Sequence, residues 1–158
     1  MEIVIAKKEN LEIVRTITRS TIKSIYPRYY PVGAVEFFLM HHSSEHILAD
    51  ISDGKVFLLL ENGVSVATVT VSENNINRLF VLPEFHHRGY GKTLLDFAEK
   101  KIFQSYECVQ IDASFPAKQI YLQRGYKEIE YNIIEANNGD YLCYDVMRLE
   151  KRMVREGE

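Results

Sequence analysis

Cysteine is scarce. Cys108 and Cys143 are the two in 158 residues, too few for a disulfide framework. Both fall in apolar stretches that read as strands, so they are expected to be reduced core residues of a cytoplasmic protein. Long apolar runs are missing as well. None approaches the length that spans a bilayer, and the opening MEIVIAKKEN lacks a signal-peptide core, so a soluble intracellular domain with no membrane partner is expected. Nor is positive charge in excess. Lys and Arg number 19 against 22 Asp and Glu, a formal net charge of −3, which argues against a nucleic-acid partner. Repeats, low-complexity tracts and long linkers are absent too. Residues 1–150 therefore read as one domain, 46% of the chain being hydrophobic, and 151–158 as a polar tail.

What is present is a series of alternating and helical patterns. Glu2 to Ala6 alternates like a strand, and Leu11, Val14, Ile17, Thr21 and Ile25 form one helical face. A second helix follows YPRYYPVG, with Pro31 near its start and Val35, Phe38 and Leu39 facing inward. SSEHILADI reads as a third, opened by a serine cap and stopped at Asp53-Gly54. KVFLLLE and VSVATVTV flank Asn62-Gly63, a strong hairpin signal. A strand from Ile76 to Leu82 leads to a helix reaching about Ser105, then a strand, CVQIDA. A short helix from Pro116 to Arg124 is capped by Gly125, and YKEIEYNIIE and YLCYDVMRL flank the turn ANNGD. Hairpins at both ends with helical crossovers between them predict an α/β (mixed α+β) fold. Its central mixed sheet has about seven strands flanked by helices.

The most informative stretch is LFVLPEFHHRGYGKTLLDFAEKK, Leu79 to Lys101. An apolar strand ends at a proline, a basic glycine-containing turn follows, and a helix begins. Such a turn presents bare backbone N–H groups at a helix N-terminus, a site for a phosphate. A dinucleotide fingerprint fails because Leu94 stands where its third glycine belongs, and a nucleotide P-loop fails because His86 holds the place of its first. The amides from His87 to Thr93 can converge on a pyrophosphate, and glycine at 89 and 91 lets phosphate approach the backbone. Arg88 and Lys92 can pair with phosphate oxygens or be solvated charges at a helix start.

His86-His87-Arg88-Gly89-Tyr90-Gly91 resembles the acetyl-CoA motif Q/R-x-x-G-x-G/A of the GNAT superfamily of N-acetyltransferases, with His86 standing where Gln or Arg is usual. Val81-Leu82-Pro83-Glu84-Phe85 resembles the V-x-P-E-F/Y that precedes it, and Tyr121, Gly125 and Tyr126 match the Y-x-x-x-G-F/Y of a downstream helix. The element order is similar over nearly the whole chain. The resemblance implies a GNAT fold and acetyl transfer from acetyl-CoA, as co-substrate without a metal, to a primary amine by direct attack in a ternary complex. It assigns the pantetheine arm to the backbone of Leu79, Phe80 and Val81, whose side chains are expected in the core. It places Ser114, where Asn is frequent, with the CoA site. It makes Tyr121 the acid that protonates the departing thiolate; the other reading of Tyr121 is a packing residue on the inner face of its helix.

The base is left open. The glutamate of one GNAT branch aligns with Asn75, which is not basic; Glu73 lies two residues away, on the same face if the strand extends that far, and Asp112 is a second candidate. HSSEH, His42 to His46, spells the H-x-x-E-H zinc signature, so His42, Glu45 and His46 suggest a zinc hydrolase, but Ser43-Ser44 reads as a helix start that would split the ligand face. Tyr26, Tyr29, Tyr30, Phe37 and Phe38 around Glu36 suit a wall for a cationic amine or ordinary helix packing. A CoA-binding module without turnover is a further alternative. The acceptor's identity, small molecule or protein amine, stays open, and the exposed edges of a mixed sheet leave room for a homodimer.

Overall fold

A computed structural model describes residues 1–152. Its seven strands are β1 (Glu2–Ile5), β2 (Val56–Glu61), β3 (Val64–Ser72), β4 (Asn75–Val81), β5 (Cys108–Ala113), β6 (Lys127–Glu135) and β7 (Tyr141–Glu150). Its helices are α1 (Leu11–Ile25), α2 (Val32–His41), α3 (Ser44–Ser52), α4 (Tyr90–Ile102) and α5 (Phe115–Arg124). The strands form one mixed sheet in the order β1-β2-β3-β4-β5-β7-β6. Only β4 and β5 are parallel; every other neighbouring pair is antiparallel.

Local chemistry accounts for the elements. Asn62 and Gly63 both take positive φ, 51° and 79°, as a tight hairpin turn between β2 and β3 requires. The Ser43 side chain accepts from the His46 N–H and starts α3, and Gly125 ends α5 in a left-handed conformation at φ 101°. Alternation along β2 divides the interior in two. Phe57 and Leu59 join Leu94, Leu95, Ala98 and Tyr121 under α4 and α5, whereas Val56 and Leu58 join Val14, Ile17, Ile22 and Ile47 under α1 to α3.

Two of four sequence expectations, on the cysteines and on the end of α4, are corrected. Cys108 and Cys143 are free thiols but only half-buried, not core residues. In α2 the fully buried positions are Gly33 and Ala34, and Val35, Phe38 and Leu39 face inward as expected, half-buried against the core under α1 to α3. Helix α4 ends at Ile102, short of Ser105. Of the predicted polar tail, Lys151 and Arg152 are exposed and 153–158 lie outside the described residues.

Two irregularities position the site. The β4–β5 pairing covers only Asn75↔Gln110 and Ile76↔Ile111, after which the two strands part. The β3–β4 register then slips between Thr68↔Phe80 and Thr70↔Asn77, a bulge at Arg78-Leu79 with Arg78 at φ 46°. A bulge kinks its strand, so the rest of β4, still paired with β3 through Thr68↔Phe80 and Ala67↔Val81, runs free of β5 toward the 83–91 turn.

Candidate active site

The parting of β4 and β5 opens a cavity of about 1340 Å³ that reaches from the turn before α4 to the α2 side of the sheet. At one end the backbone turns sharply: His87 at φ 62° and Gly89 at φ 84° flank Arg88, and α4 begins at Tyr90. Left-handed residues alternating along a turn point successive N–H groups into one concavity. From His87 to Lys92 these amides donate to no acceptor among the described residues. The Thr93 amide does not join them, since it donates to the Gly89 carbonyl at 3.0 Å as the first regular helical bond. Nor is the His86 amide free; it donates to Pro83 O at 3.3 Å.

The side chains around this turn divide. Gly89, Tyr90, Gly91 and Lys92 line the cavity with His86 and His87, whereas Arg88 and Thr93 do not. The Arg88 guanidinium lies 5.3 Å from the Phe85 ring centroid, and the Thr93 hydroxyl donates to Gly89 O at 3.0 Å. Lys92 Nζ sits 2.9 Å from Asp96 Oδ2, and Asp96 also holds Arg124 of α5. His86 folds its ring back so that Nε2 meets Val81 O at 2.7 Å, where the Thr21 hydroxyl also donates at 3.1 Å. His86 thus closes the turn onto the end of β4.

Along β4, Leu79 and Val81 are half-buried and Phe80 is buried. The Leu82 N–H donates to Val66 O, so by strand alternation the Phe80 backbone groups also point at β3. Those of Val81 face the opening between the strands. Phe80 is closed to backbone pairing with a ligand, and of Val81 only the N–H is open, its carbonyl being held by His86 and Thr21.

Tyr121 reaches the same cavity from α5, 6% exposed, with its ring 5.5 Å from that of Tyr126. Burial pushes its phenol above the ordinary value, with Tyr26 adding to the effect, and its hydroxyl makes no hydrogen bond within the described residues. Ser114, at the N-cap of α5, lines the cavity but its side chain caps nothing. The first amide of α5 is held from afar, the Phe115 N–H donating to Tyr30 Oη at 2.8 Å while the two rings stack at 4.9 Å.

The far side of the cavity belongs to α2 and to the β5–β7–β6 face. Asp112 lines it, its carboxyl raised by burial, opposed by His41 and reinforced by Glu130. Burial lowers His41 below the ordinary imidazole range. It lowers His42 to about 3, with Arg78, His41 and His46 adding, so both rings are neutral near pH 7. Tyr144 is raised by burial and by Asp112 and Glu130. At the bulge, burial lowers Arg78, which is held by Asp50 of α3 with Nη1 at 2.6 Å. The wall is pinned at Gly33. Its N–H donates to Asp140 Oδ2 at 2.8 Å, and a Cβ there would lie 1.9 Å from Asn137 O, so only glycine lets α2 meet the β6–β7 turn.

Three further expectations concern residues around this cavity. Glu73 does not extend β4. It occupies the Glu73-Asn74 hairpin turn at φ 54°, exposed and outside the cavity, because Ser72 already pairs with Asn75. The zinc signature is split: His42 closes α2, and His46 lies in the first turn of α3 with Nδ1 2.9 Å from His41 O, so the two rings do not share a helical face. Of the predicted aromatic wall, Tyr26, Tyr29, Phe37 and Phe38 line the cavity. Tyr30 instead ties to α5, and Glu36 accepts from Asn137 Nδ2 at 3.3 Å outside it.

Sequence reading missed His41, Tyr144 and Arg78. His41 falls one residue before the zinc-like string that drew attention. Tyr144 carries only the alternation common to all of β7. For Arg78 a bulge leaves no local signature.

The acetyltransferase (GNAT) domain family matches residues 25–143, most of the chain, and the protein belongs to that family. Solved structures agree on the fold. A GCN5-related N-acetyltransferase from Rhodopseudomonas palustris superposes with a TM-score of 0.84 at 22% identity, over 94% of each chain. The PaiA N-acetyltransferase of Thermoplasma acidophilum, in complex with coenzyme A, gives 0.69 at 20% identity, covering 94% of this chain and 98% of its own. YncA of Salmonella typhimurium, with its cofactor acetyl-CoA, gives 0.72 at 14% identity, covering 100% and 98%. No curated protein shows significant sequence similarity to the chain. Among the described residues no helix is long and apolar enough to cross a membrane.

Proposed function

We propose that this acetyltransferase moves an acetyl group from acetyl-CoA to a primary amine by direct attack in a ternary complex. One observation carries the reading: a single cavity joins the free amides of the 87–92 turn, the open side of β4, Tyr121 and Asp112. Six unsatisfied N–H groups at a helix start fit a pyrophosphate, and Gly91 leaves room for it, since a Cβ there would meet nothing closer than Val81 Cγ2 at 3.8 Å. The Val81 N–H, turned away from β3, suits a carbonyl of an amide-bearing arm laid along β4.

Acetyl-CoA supplies the acyl group as an activated thioester. An ammonium cannot attack it, so a proton must first leave the amine. Asp112 is the carboxylate that faces the acceptor side, and its raised pKa makes it a better proton acceptor than an ordinary aspartate. It replaces Glu73 in that role. Tyr121 stays protonated throughout the neutral range and holds its proton for the sulfur. The burial that raises the phenol raises a thiolate beside it as well, so the transfer stays matched. The acceptor binds between the aromatic rings of Phe37 and Phe38 and the Asp112 carboxylate, a setting that favours a cation. The free thiols of Cys108 and Cys143 fit a reducing, cytoplasmic setting.

Glu73 lying in a turn favours one rival, a CoA-binding module without turnover. A thiol-release assay with acetyl-CoA across a panel of small amines and peptide N-termini separates the two. Thiol release that requires an amine, with a matching acetylated product, supports transfer. Acetyl-CoA binding with no release for any amine supports the module.

A further inference from the structure

Arg78 stands at the bulge where β4 leaves β5, and its side chain is only 8% exposed. A guanidinium carries five N–H donors in a planar fork. Nη1, at 2.6 Å, and Nη2 both donate to one oxygen of Asp50, Oδ2, which occupies the end of that fork. Nε is buried and has no acceptor among the described residues. One side of the fork is therefore unsatisfied, where an unpaired donor is costly. Asp50 stays behind on α3, outside the cavity, whereas Arg78 lines it.

The charges on the cavity wall are unevenly matched. Asp112 is the one carboxylate among the described lining residues, against the cations Arg28, Arg78, Lys92 and Arg124. Lys92 is held by Asp96, Arg124 by Asp96 and Glu99, and Arg28 is exposed. Arg78 is the cation both buried in the wall and left with an empty donor.

Arg78 and Asp112 stand on the two edges of the split in the sheet. Ile76↔Ile111 is the last pair of β4 and β5; Asp112 comes one residue after it and Arg78 two. The His41 ring on α2 registers both charges: burial and His46 lower it, Arg78 lowers it further, and Asp112 opposes them. A carboxylate and a guanidinium across one opening suit a zwitterion. A diamine or polyamine would set its second ammonium against a fixed guanidinium and find no second carboxylate on the wall.

We propose that the acceptor is an amino acid, its amine at Asp112 and its carboxylate on the open side of the Arg78 fork. This rests on the transfer reading above, in which Asp112 receives the amine. Two donors in one plane match the two oxygens of a carboxylate, and the pairing gives Nε its acceptor. An amide carbonyl offers one neutral oxygen in the same place, so a peptide N-terminus is the poorer acceptor.

The test measures thiol release from acetyl-CoA with α-, β- and γ-amino acids, the amide of each, and 1,4-diaminobutane. At least one amino acid is expected to exceed its own amide and the diamine ~10–100-fold in kcat/KM, as a charge-assisted hydrogen bond implies. Arg78→Gln should erase that preference through KM and leave acetyl-CoA affinity unchanged. Because that change strands Asp50, Arg78→Gln combined with Asp50→Asn is made beside it, with circular dichroism to check both folds. Amides or the diamine used as well as the amino acids overturn the proposal and leave transfer standing. So does a preference that survives in the double variant, or a kcat lowered alike for every acceptor, the mark of a donor to the thioester oxygen. No release from any amine overturns transfer itself. Calorimetry of the same amino acids with the CoA-loaded protein then decides the subsite, supported by binding that the double variant loses and overturned by no binding.

Discussion

Tyr30 Oη accepts a hydrogen bond from the Phe115 N–H at 2.8 Å, across 85 residues of sequence. The loop before α2 thereby caps the helix that carries Tyr121. Ser114, the natural capping position, leaves that amide to Tyr30. The stacking of the two rings, 11° from parallel, adds to the tether. Removing the hydroxyl with Tyr30→Phe keeps the stack and frees the amide. The expected loss is about 1 kcal/mol of stability, as for other helix caps. A several-fold lower kcat with unchanged acetyl-CoA affinity is also expected, because α5 loosens at Tyr121. Urea denaturation and steady-state kinetics on one preparation check both.

Tyr121→Phe removes only the hydroxyl of a ring packed on Tyr126. Turnover should fall ~10²–10⁴-fold with little change in acetyl-CoA affinity or melting temperature. Full turnover in the variant would reduce Tyr121 to a packing residue.

Gly89 and Gly91 separate the fold's needs from the ligand's. Gly89 sits at φ 84°, so any side chain there strains the turn, whereas Gly91 has ordinary φ and room for a Cβ. Gly91→Ala should keep the fold, and Gly91→Glu should abolish the rise in melting temperature that saturating acetyl-CoA gives the wild type. Mass action makes that rise about 2.7 kcal/mol at a hundred times Kd. Thermal shift measurements with and without acetyl-CoA decide it.

In the proposed role of base, Asp112 must be ionised. Burial raises its pKa, so activity should fall as pH drops through a value above the ordinary 3.8 for aspartate. Asp112→Asn should lower kcat ~10–100-fold and erase that acid limb, while the limb set by the acceptor amine at higher pH remains. A pH profile of kcat with one acceptor distinguishes this from a role in packing.

His42 bears on stability rather than chemistry. Its folded pKa, about 3, lies below the ordinary 6.5 because the ring is buried and faces Arg78. The unfolded chain binds the proton more tightly, so the contribution of His42 is intact above about pH 6.5 and is lost as pH falls toward 3. His42→Gln should flatten the acid side of the stability curve by about 1 kcal/mol per pH unit in that window. Urea denaturation at several acid pH values measures the slope.

Some elements were legible because their causes are local. Asn62-Gly63 can hardly be anything but a tight turn, Gly125 ends a helix by its φ, and the α1 face repeats at the helical period. The turn from His86 to Gly91 was readable for the same reason, since its glycines and the helix start lie within one short stretch. Glu73 was misplaced because the end of a strand depends on its partner, and Ser72 pairs with Asn75 whatever the local propensity.

By itself the sequence determined the order of elements, a mixed sheet, and the residues of the glycine-bearing turn before α4, all governed by contacts between near neighbours in the chain. Only the tertiary structure decided where β4 leaves β5, that Arg78 bulges, that His86 folds onto Val81, and that Tyr30 holds Phe115. It also brought Asp112 and His41 to the same cavity from elements more than seventy residues apart. Such relations depend on how two distant elements pack against each other, and side-chain geometry across a cleft leaves no periodic trace in either segment alone.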